Sequence, residues 1–110
     1  MQRTAHFPHK EDVMYAAVRR YEGVTNPREV GRLVEEAYLP LVLDIPGFVS
    51  YDWIEADGGV VLSTSVFQDK AGVEESNRRA ATLVHERLTS LLPNPPQITT
   101  GEVTVHKVAR

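Results

Sequence analysis

Residues 48–67 of the chain, FVSYDWIEADGGVVLSTSVF, decide the fold because they contain two strand-like runs, Phe48–Ala56 and Gly59–Phe67, on either side of Asp57-Gly58. A two-residue turn at this dipeptide predicts a β-hairpin and fixes its register. The predicted pairs are Trp53–Leu62, Tyr51–Thr64 and Val49–Val66 on one face, and Asp52–Ser63, Ser50–Ser65 and Phe48–Phe67 on the other. One face of the hairpin is therefore expected to be apolar, and the other to carry a polar strip.

A helix is predicted on the N-terminal side of the hairpin, beginning at Asn26-Pro27-Arg28-Glu29. Asn26 can cap the helix, Pro27 has the φ angle of a first helical residue, and Glu29 can return a hydrogen bond to the cap backbone. The apolar residues that follow at helical spacing are Val30, Leu33, Val34, Ala37 and Leu41. Because Pro40 has no N–H to donate, the helix is expected to end or kink near it.

A second helix is predicted after the hairpin, with Asp69 as its cap. Its expected core stripe is Val73, Asn77, Ala80, Ala81, Val84, Leu88 and Leu91. The prolines at 93, 95 and 96 end this helix, and strand-like runs cover Val13–Tyr21 and Ile98–Val108. The order β-α-β-β-α-β predicts an α+β, ferredoxin-like fold, in which a four-stranded antiparallel sheet carries both helices on one face.

The composition fits one domain over residues 1–110, with residues 1–11 as a flexible N-terminal lead. The net charge of −3 and the even spread of basic residues argue against nucleic acid as a partner. No long apolar run or signal sequence is present, so we expect a cytoplasmic protein with no membrane association. The absence of cysteine excludes thiol chemistry, and the histidine spacing does not suggest a metal site.

The strands carry apolar residues on both sides of the predicted sheet, whereas two helices can cover only one side. Phe48, Ile54, Val61 and Phe67 are expected opposite the face of Trp53. An exposed apolar patch of this kind usually marks an interface, and the same face of a second copy is the simplest cover. We therefore expect a homodimer in which two sheets pack face to face.

Several motifs resemble the dimeric α+β barrel superfamily that includes the antibiotic biosynthesis monooxygenase-like domains. The resemblance spans roughly residues 13–106 and is most similar to an uncharacterised bacterial branch of the superfamily. Its motifs are Ile45-Pro46-Gly47-Phe48, the segment 65–70 leading into 74–81, and Leu91 to Pro96 before Gly101-Glu102-Val103. The resemblance implies the fold derived above.

The same resemblance implies a choice of activities rather than one reaction, because the superfamily includes cofactor-free oxygenases, haem-degrading enzymes and isomerase-like proteins. The haem-degrading members use an asparagine on the first strand, and Val13–Tyr21 contains none. Cofactor-free members use Asn, Trp and Arg side chains around an aromatic substrate. Asn77, Trp53 and Arg78 match these in residue type only. We accordingly expect no cofactor and leave the catalytic residues unassigned.

Asn77 is the first candidate for ligand binding, because its amide falls within the predicted apolar stripe of the second helix. It can instead serve the fold by bonding to the backbone of a neighbouring segment. His85 lies at the edge of the same stripe and is either a ligand contact or a half-exposed packing residue.

Three residues of the second predicted strand complete the candidate set. Trp53 and Tyr51 can form the wall of a pocket for an aromatic compound, or can simply belong to the core. Asp52 can act as a general base if it is partly desolvated within a dimer, or can remain solvated.

Two hypotheses of function follow from these residues. The first is a small homodimeric enzyme that binds an aromatic or polyketide-like compound and oxidises or rearranges it without a cofactor. The alternative is a non-catalytic dimer, a ligand-binding or stress-response protein whose polar groups serve only the fold. A cavity lined by Asn77, Trp53 and His85 would favour the first.

Overall fold

The computed structural model describes residues 13–109, and these form one four-stranded antiparallel sheet with two helical segments on one side. The strands are β1 (Tyr15–Tyr21), β2 (Phe48–Glu55), β3 (Val61–Phe67) and β4 (Gln97–Glu102), in the spatial order β2-β3-β1-β4. This order and the chain order β-α-β-β-α-β confirm the predicted ferredoxin-like fold. The flexible lead predicted for residues 1–11 lies outside the described residues.

The first helical segment, α1, consists of an α-helix at Pro27–Leu33, a π-helical turn at Val34–Tyr38 and an α-helix at Leu39–Leu43. The Asn26 side chain accepts from Glu29 N at 3.3 Å, as predicted, but the Glu29 carboxylate pairs with Arg32 instead of the cap backbone. Pro40 does not end the segment. The Leu39 N–H bonds to the Val34 carbonyl, five residues back, so the widened turn precedes the proline and the helix continues beyond it.

The second helical segment, α2, runs as an α-helix over Lys70–Leu83 and as a π-helical turn over Val84–Leu88. The Asp69 carboxylate caps it by accepting from Gly72 N at 2.8 Å. Its buried face is rotated from the predicted stripe: Ser76 and Leu83 are buried, Asn77 is half-buried and Ala81 is exposed. Close packing at its first turn explains part of the rotation, because a Cβ atom at Gly72 would lie 2.9 Å from the Phe67 ring.

The hairpin differs from the predicted register by one residue. Gly58 and Gly59 both have positive φ, and Ala56 N bonds to Val60 O at 2.9 Å, so the turn contains three residues instead of two. Trp53 consequently pairs with Ser63, not with Leu62. A bulge between Phe48 and Ser50 restores the predicted pair of Phe48 with Phe67.

This one-residue shift changes which residues share a face of the sheet. The residues facing the helices include Val61, Ser63, Ser65 and Phe67, all of which are buried. The polar strip predicted around Asp52 is therefore divided, since Asp52 and Ser63 lie on opposite faces. Val61 and Phe67, predicted on the open side, belong to the core beneath the helices.

The C-terminal strand is shorter than predicted. β4 ends at Glu102, and residues 103–109 carry no regular secondary structure beyond a bond from Val103 N to Met14 O at 2.8 Å. Val105 and Val108 are exposed there. Over residues 13–109, no helix is long and apolar enough to cross a membrane.

Candidate functional site

A small cavity lies between the two helical segments and the sheet, and polar side chains line it on the sheet side. The strand register places Arg19, Ser63 and Trp53 in one row, because Arg19 of β1 and Trp53 of β2 are both opposite Ser63 of β3. All three side chains line the cavity, which has a volume of about 20 Å³. A cavity of this size has room for about one water molecule.

Arg19 is the most unusual residue of the cavity, because its side chain is charged and the residue is only 6% exposed. Its Nε donates to the Tyr21 hydroxyl and its Nη1 donates to Asn77 Oδ1, each at 3.2 Å. The guanidinium carbon also lies 5.8 Å from the centre of the Tyr21 ring. Among the described residues, no carboxylate forms an ion pair with it. A buried charge without an opposite charge is costly to a fold.

Two tyrosines close the cavity from the side of α1 and β2. Tyr38 donates to the Ser76 carbonyl at 3.1 Å, and its ring centre is 5.5 Å from that of Tyr51. Burial raises the pKa of Tyr38 to about 12, although Arg19 opposes this rise. Burial also raises the pKa of Tyr51, against an opposing hydrogen bond with Ser63. Both phenols therefore remain neutral near pH 7 and keep their O–H donors.

The indole N–H of Trp53 has no partner. Its Nε1 atom is buried and makes no hydrogen bond in the described structure. Helix α1 approaches it closely at Gly31, where a Cβ atom would lie 3.1 Å from Nε1. A side chain at position 31 would press on the indole, which gives a reason for a glycine inside this helix, where glycine is otherwise unfavourable.

A larger groove of about 680 Å³ lies between α1 and the edge strand β2. Arg28 and Glu55 line it, and they form an ion pair at 3.2 Å. The groove and the inner cavity share three lining residues, Val34, Tyr51 and Trp53. These side chains form a partition that separates an outer space large enough for a small organic molecule from Arg19 and Ser63 behind it.

The residues predicted from sequence lie in three different places. Tyr51 and Trp53 form the partition, and Asn77 is held by Arg19 beside the cavity. His85 is exposed on α2, away from both spaces. Asp52 is exposed on the open side of the sheet, where Thr64 Oγ1 donates to it at 3.4 Å.

Sequence reasoning missed Arg19 altogether. One signal could have identified it: Arg19 alternates with Ala17 and Tyr21 along β1, and residues two apart in a strand share a face. A basic residue in register with two buried neighbours is a candidate for a buried charge. Among residues 13–109, no group of three or more His, Cys, Asp or Glu side chains is placed to hold a metal ion.

Comparison with known proteins shows a fold relationship. No protein-family model matches the chain, and no curated protein matches it either. Among solved structures, a protein of unknown function from Nitrosomonas europaea, NE2512, superposes with a TM-score of 0.71 at 20% identity, covering 91% of this chain and 98% of that one.

Two other similar structures have described activities. A monooxygenase from the gene ActVA-Orf6 of Streptomyces coelicolor, solved in complex with the ligand nanaomycin D, has a TM-score of 0.69 at 20% identity and covers 90% of this chain and 95% of its own. SnoaB of Streptomyces nogalater, a cofactor-independent oxygenase, has a TM-score of 0.57 at 15% identity, with 88% of this chain and 96% of its own covered. The predicted resemblance to antibiotic biosynthesis monooxygenase-like proteins is thus confirmed at the level of the fold.

Proposed function

We propose that this chain binds a planar aromatic compound in the groove between α1 and β2 and oxidises it with molecular oxygen without a cofactor. The observation that carries the proposal is the partition of Tyr51 and Trp53, which presents aromatic rings to a groove of about 680 Å³. Aromatic rings favour flat apolar ligands, and the unpartnered indole N–H can bond to a ligand oxygen. The shared fold with two oxygenases supports the choice of reaction.

The reaction proposed is oxygenation at an activated carbon of a hydroxylated ring system. For 1,8-dihydroxyanthrone, transfer of a proton from the ring CH₂ to solvent water gives an electron-rich anion that reacts directly with O₂, and the proton is taken up again when water is released. One oxygen atom becomes the new carbonyl oxygen and the other leaves as water, so the CH₂ group becomes C=O. The contribution of the protein is to orient the ring, stabilise the developing negative charge and limit access of water.

Turnover of 1,8-dihydroxyanthrone tests this function. We expect oxygen uptake above the rate without protein, and at least a tenfold lower rate for Trp53→Phe, which keeps a ring but lacks the N–H. His85→Gln and Asp52→Asn serve as controls, because both residues lie outside the groove. Both controls should retain the wild-type rate.

A second function, binding without catalysis, is favoured by one observation. The inner cavity is nearly closed and has only about 20 Å³ of free space. Because Trp53 is the single tryptophan of the chain, its fluorescence reports ligand binding at the partition directly. Quenching of Trp53 fluorescence by the ligand without oxygen uptake would favour a non-catalytic binding protein. If neither quenching nor oxygen uptake occurs, both proposed functions are wrong.

We also infer that the functional unit is a homodimer formed through the open side of the sheet. On the central strands this side carries Val18, Leu62 and Val66, and Ile54 on β2 is 44% exposed. The same face of a second copy would bury these side chains and would leave the groove and cavity on the far side of each sheet.

A further inference from the structure

We propose that the buried guanidinium of Arg19, opposite Ser63 in the sheet, is a binding site for an oxyanion of the ligand, either a phenolate or a carboxylate. The proposal rests on the function above, because the groove must hold the ring to which this oxygen is attached. It adds that the ligand carries a negatively charged oxygen, which the groove alone does not indicate.

Donors predominate in the row. The Arg19 guanidinium has five N–H donors, and two hydrogen bonds to described residues account for two of them. The Trp53 N–H is also buried without a partner, but it faces helix α1 on the groove side, near Gly31 and Glu55, so it is separate from the Arg19 donors. Ser63 stands between them in the register and is itself buried. Its short side chain leaves space between two large neighbours.

Among residues 13–109, no carboxylate balances the positive charge of Arg19 in the cavity. The acceptors that Arg19 contacts, the Tyr21 hydroxyl and the Asn77 amide oxygen, are both neutral at pH 7. The carboxylates paired with other arginines, such as Glu22, Glu55 and Glu75, lie at the surface. A bound oxyanion would supply the missing opposite charge in a site from which bulk water is largely excluded, where a charged hydrogen bond is strong.

The size of the cavity limits what can enter it. About 20 Å³ accepts one oxygen atom but not a ring. The ring must therefore stay in the groove while its oxygen reaches Arg19 past the partition. This requires the Trp53 indole or the Tyr51 ring to move aside, and Trp53 is only half-buried. Binding of the anion should accordingly change the fluorescence of Trp53.

Calorimetry with a matched pair of ligands tests the charge requirement for a carboxylate. 2-Naphthoate carries a carboxylate, and 2-naphthamide is a neutral compound of nearly the same shape. We expect the wild type to bind naphthoate at least tenfold more tightly than naphthamide at pH 7.5. Arg19→Met should abolish this preference, and Arg19→Lys should retain part of it. Equal affinity of the wild type for both ligands would exclude the carboxylate form of the oxyanion site while leaving the groove function intact.

Arg20→Met is the matched control. Arg20 is the next residue of β1, points to the opposite face and forms an ion pair with Glu22 at 2.9 Å, with its side chain 42% exposed. It should bind both ligands as the wild type does. An equal loss of naphthoate preference in Arg20→Met would show that the general charge of the protein causes the preference, and would contradict the proposal.

The phenolate form of the proposal has a spectroscopic test. The absorbance of 4-nitrophenol distinguishes its neutral and ionised forms, so a titration shows the pKa of the bound phenol directly. We expect binding to the wild type to lower that pKa by one unit or more, and binding to Arg19→Met to leave it unchanged or to raise it. A carboxylate preference without this shift would restrict the site to carboxylates. If neither anion is preferred, the proposal is wrong.

Formate separates the oxyanion site from the groove, because it has no ring. At constant ionic strength, sodium formate should raise the melting temperature of the wild type and of Arg20→Met but not that of Arg19→Met. Stabilisation by formate without binding of either naphthalene compound would contradict the aromatic function and support the anion site. No effect of formate, together with equal binding of the two naphthalene ligands, would contradict the anion site.

Discussion

Each side of the sheet departs in part from the character expected of its position. The side covered by helices carries Arg19, Ser63 and Ser65 as buried residues, together with the partition of Tyr51 and Trp53. The open side carries Val18, Leu62 and Val66 on the central strands, beside the polar residues Arg20 and Thr64. A sheet that packs on helices with one face and meets water with the other normally shows a cleaner division, with apolar residues inside and polar residues outside.

These departures indicate that packing alone does not determine either surface. Polar groups beneath helices lose hydration on folding, so their presence favours a role that depends on them. Apolar groups on an uncovered sheet are equally unfavourable unless a second layer covers them. This pattern agrees with the proposals that the covered side binds a ligand and that the open side associates with a second copy.

The largest effect is expected from a charge on the open side. Val66→Asp would place a carboxylate on the proposed interface in both copies, opposite the uncharged residues Ala16 and Ser50. An unpaired buried charge costs several kcal/mol, so the dissociation constant of the dimer should rise at least about a hundredfold. Light scattering at micromolar concentration should then give a mass of 12.3 kDa, in place of twice that value for the wild type.

Leu43→Asp provides the control for that experiment, because Leu43 is an exposed leucine (55%) at the end of α1, away from the sheet. It should remain dimeric. A wild type that is monomeric at micromolar concentration would contradict the proposed dimer, and with it the role of the open side.

The element order was predictable because its signals are local. Asn26 and Asp69 cap helices through contacts within one turn, and the prolines at 93, 95 and 96 act through their own backbone. The register was not predictable from Asp57-Gly58, since the adjacent Gly59 also adopts positive φ and lengthens the turn. A shift of one residue was enough to exchange the faces of β3.

In the candidate site, too, some residues could be selected from local sequence, whereas others depend on tertiary packing. Trp53 and Tyr51 could be selected because large aromatic residues on a strand usually line a core or a pocket. Arg19 had only its alternation with Ala17 and Tyr21 as a signal, because an arginine in a strand usually faces water and its burial depends on packing by helices distant in sequence. Asn77 was selected as a core position, whereas the structure buries Ser76 and leaves Asn77 at the boundary, in contact with Arg19.

A change at Asn77 probes the covered side with an intermediate effect. Asn77→Leu removes the amide oxygen that accepts from Arg19 Nη1 and leaves a buried charged donor with one partner fewer. We expect a loss of about 1–3 kcal/mol in the free energy of unfolding, measured by urea denaturation, and no change in association. Increased stability would show that the hydrogen bond to Asn77 does not stabilise the buried guanidinium of Arg19, and would contradict a specific role for polar groups on the covered side.

The smallest effect concerns the neutral phenols of the covered side. The pKa of Tyr38 is about 12 in the folded chain, against 10 for an ordinary tyrosine, so between these values the unfolded chain binds fewer protons than the folded chain. This contribution to stability is complete below pH 10 and is lost as the pH rises to 12, at a slope of up to about 1.4 kcal/mol per pH unit for one tyrosine. Tyr38→Phe should remove that share of the slope in urea denaturation measured across this range.

Tyr51→Phe should also reduce the slope, because burial raises the pKa of Tyr51 as well. If the pH dependence of stability in both variants equals that of the wild type, the two phenols do not lie in apolar surroundings. The cavity on the covered side of the sheet would then be open to water.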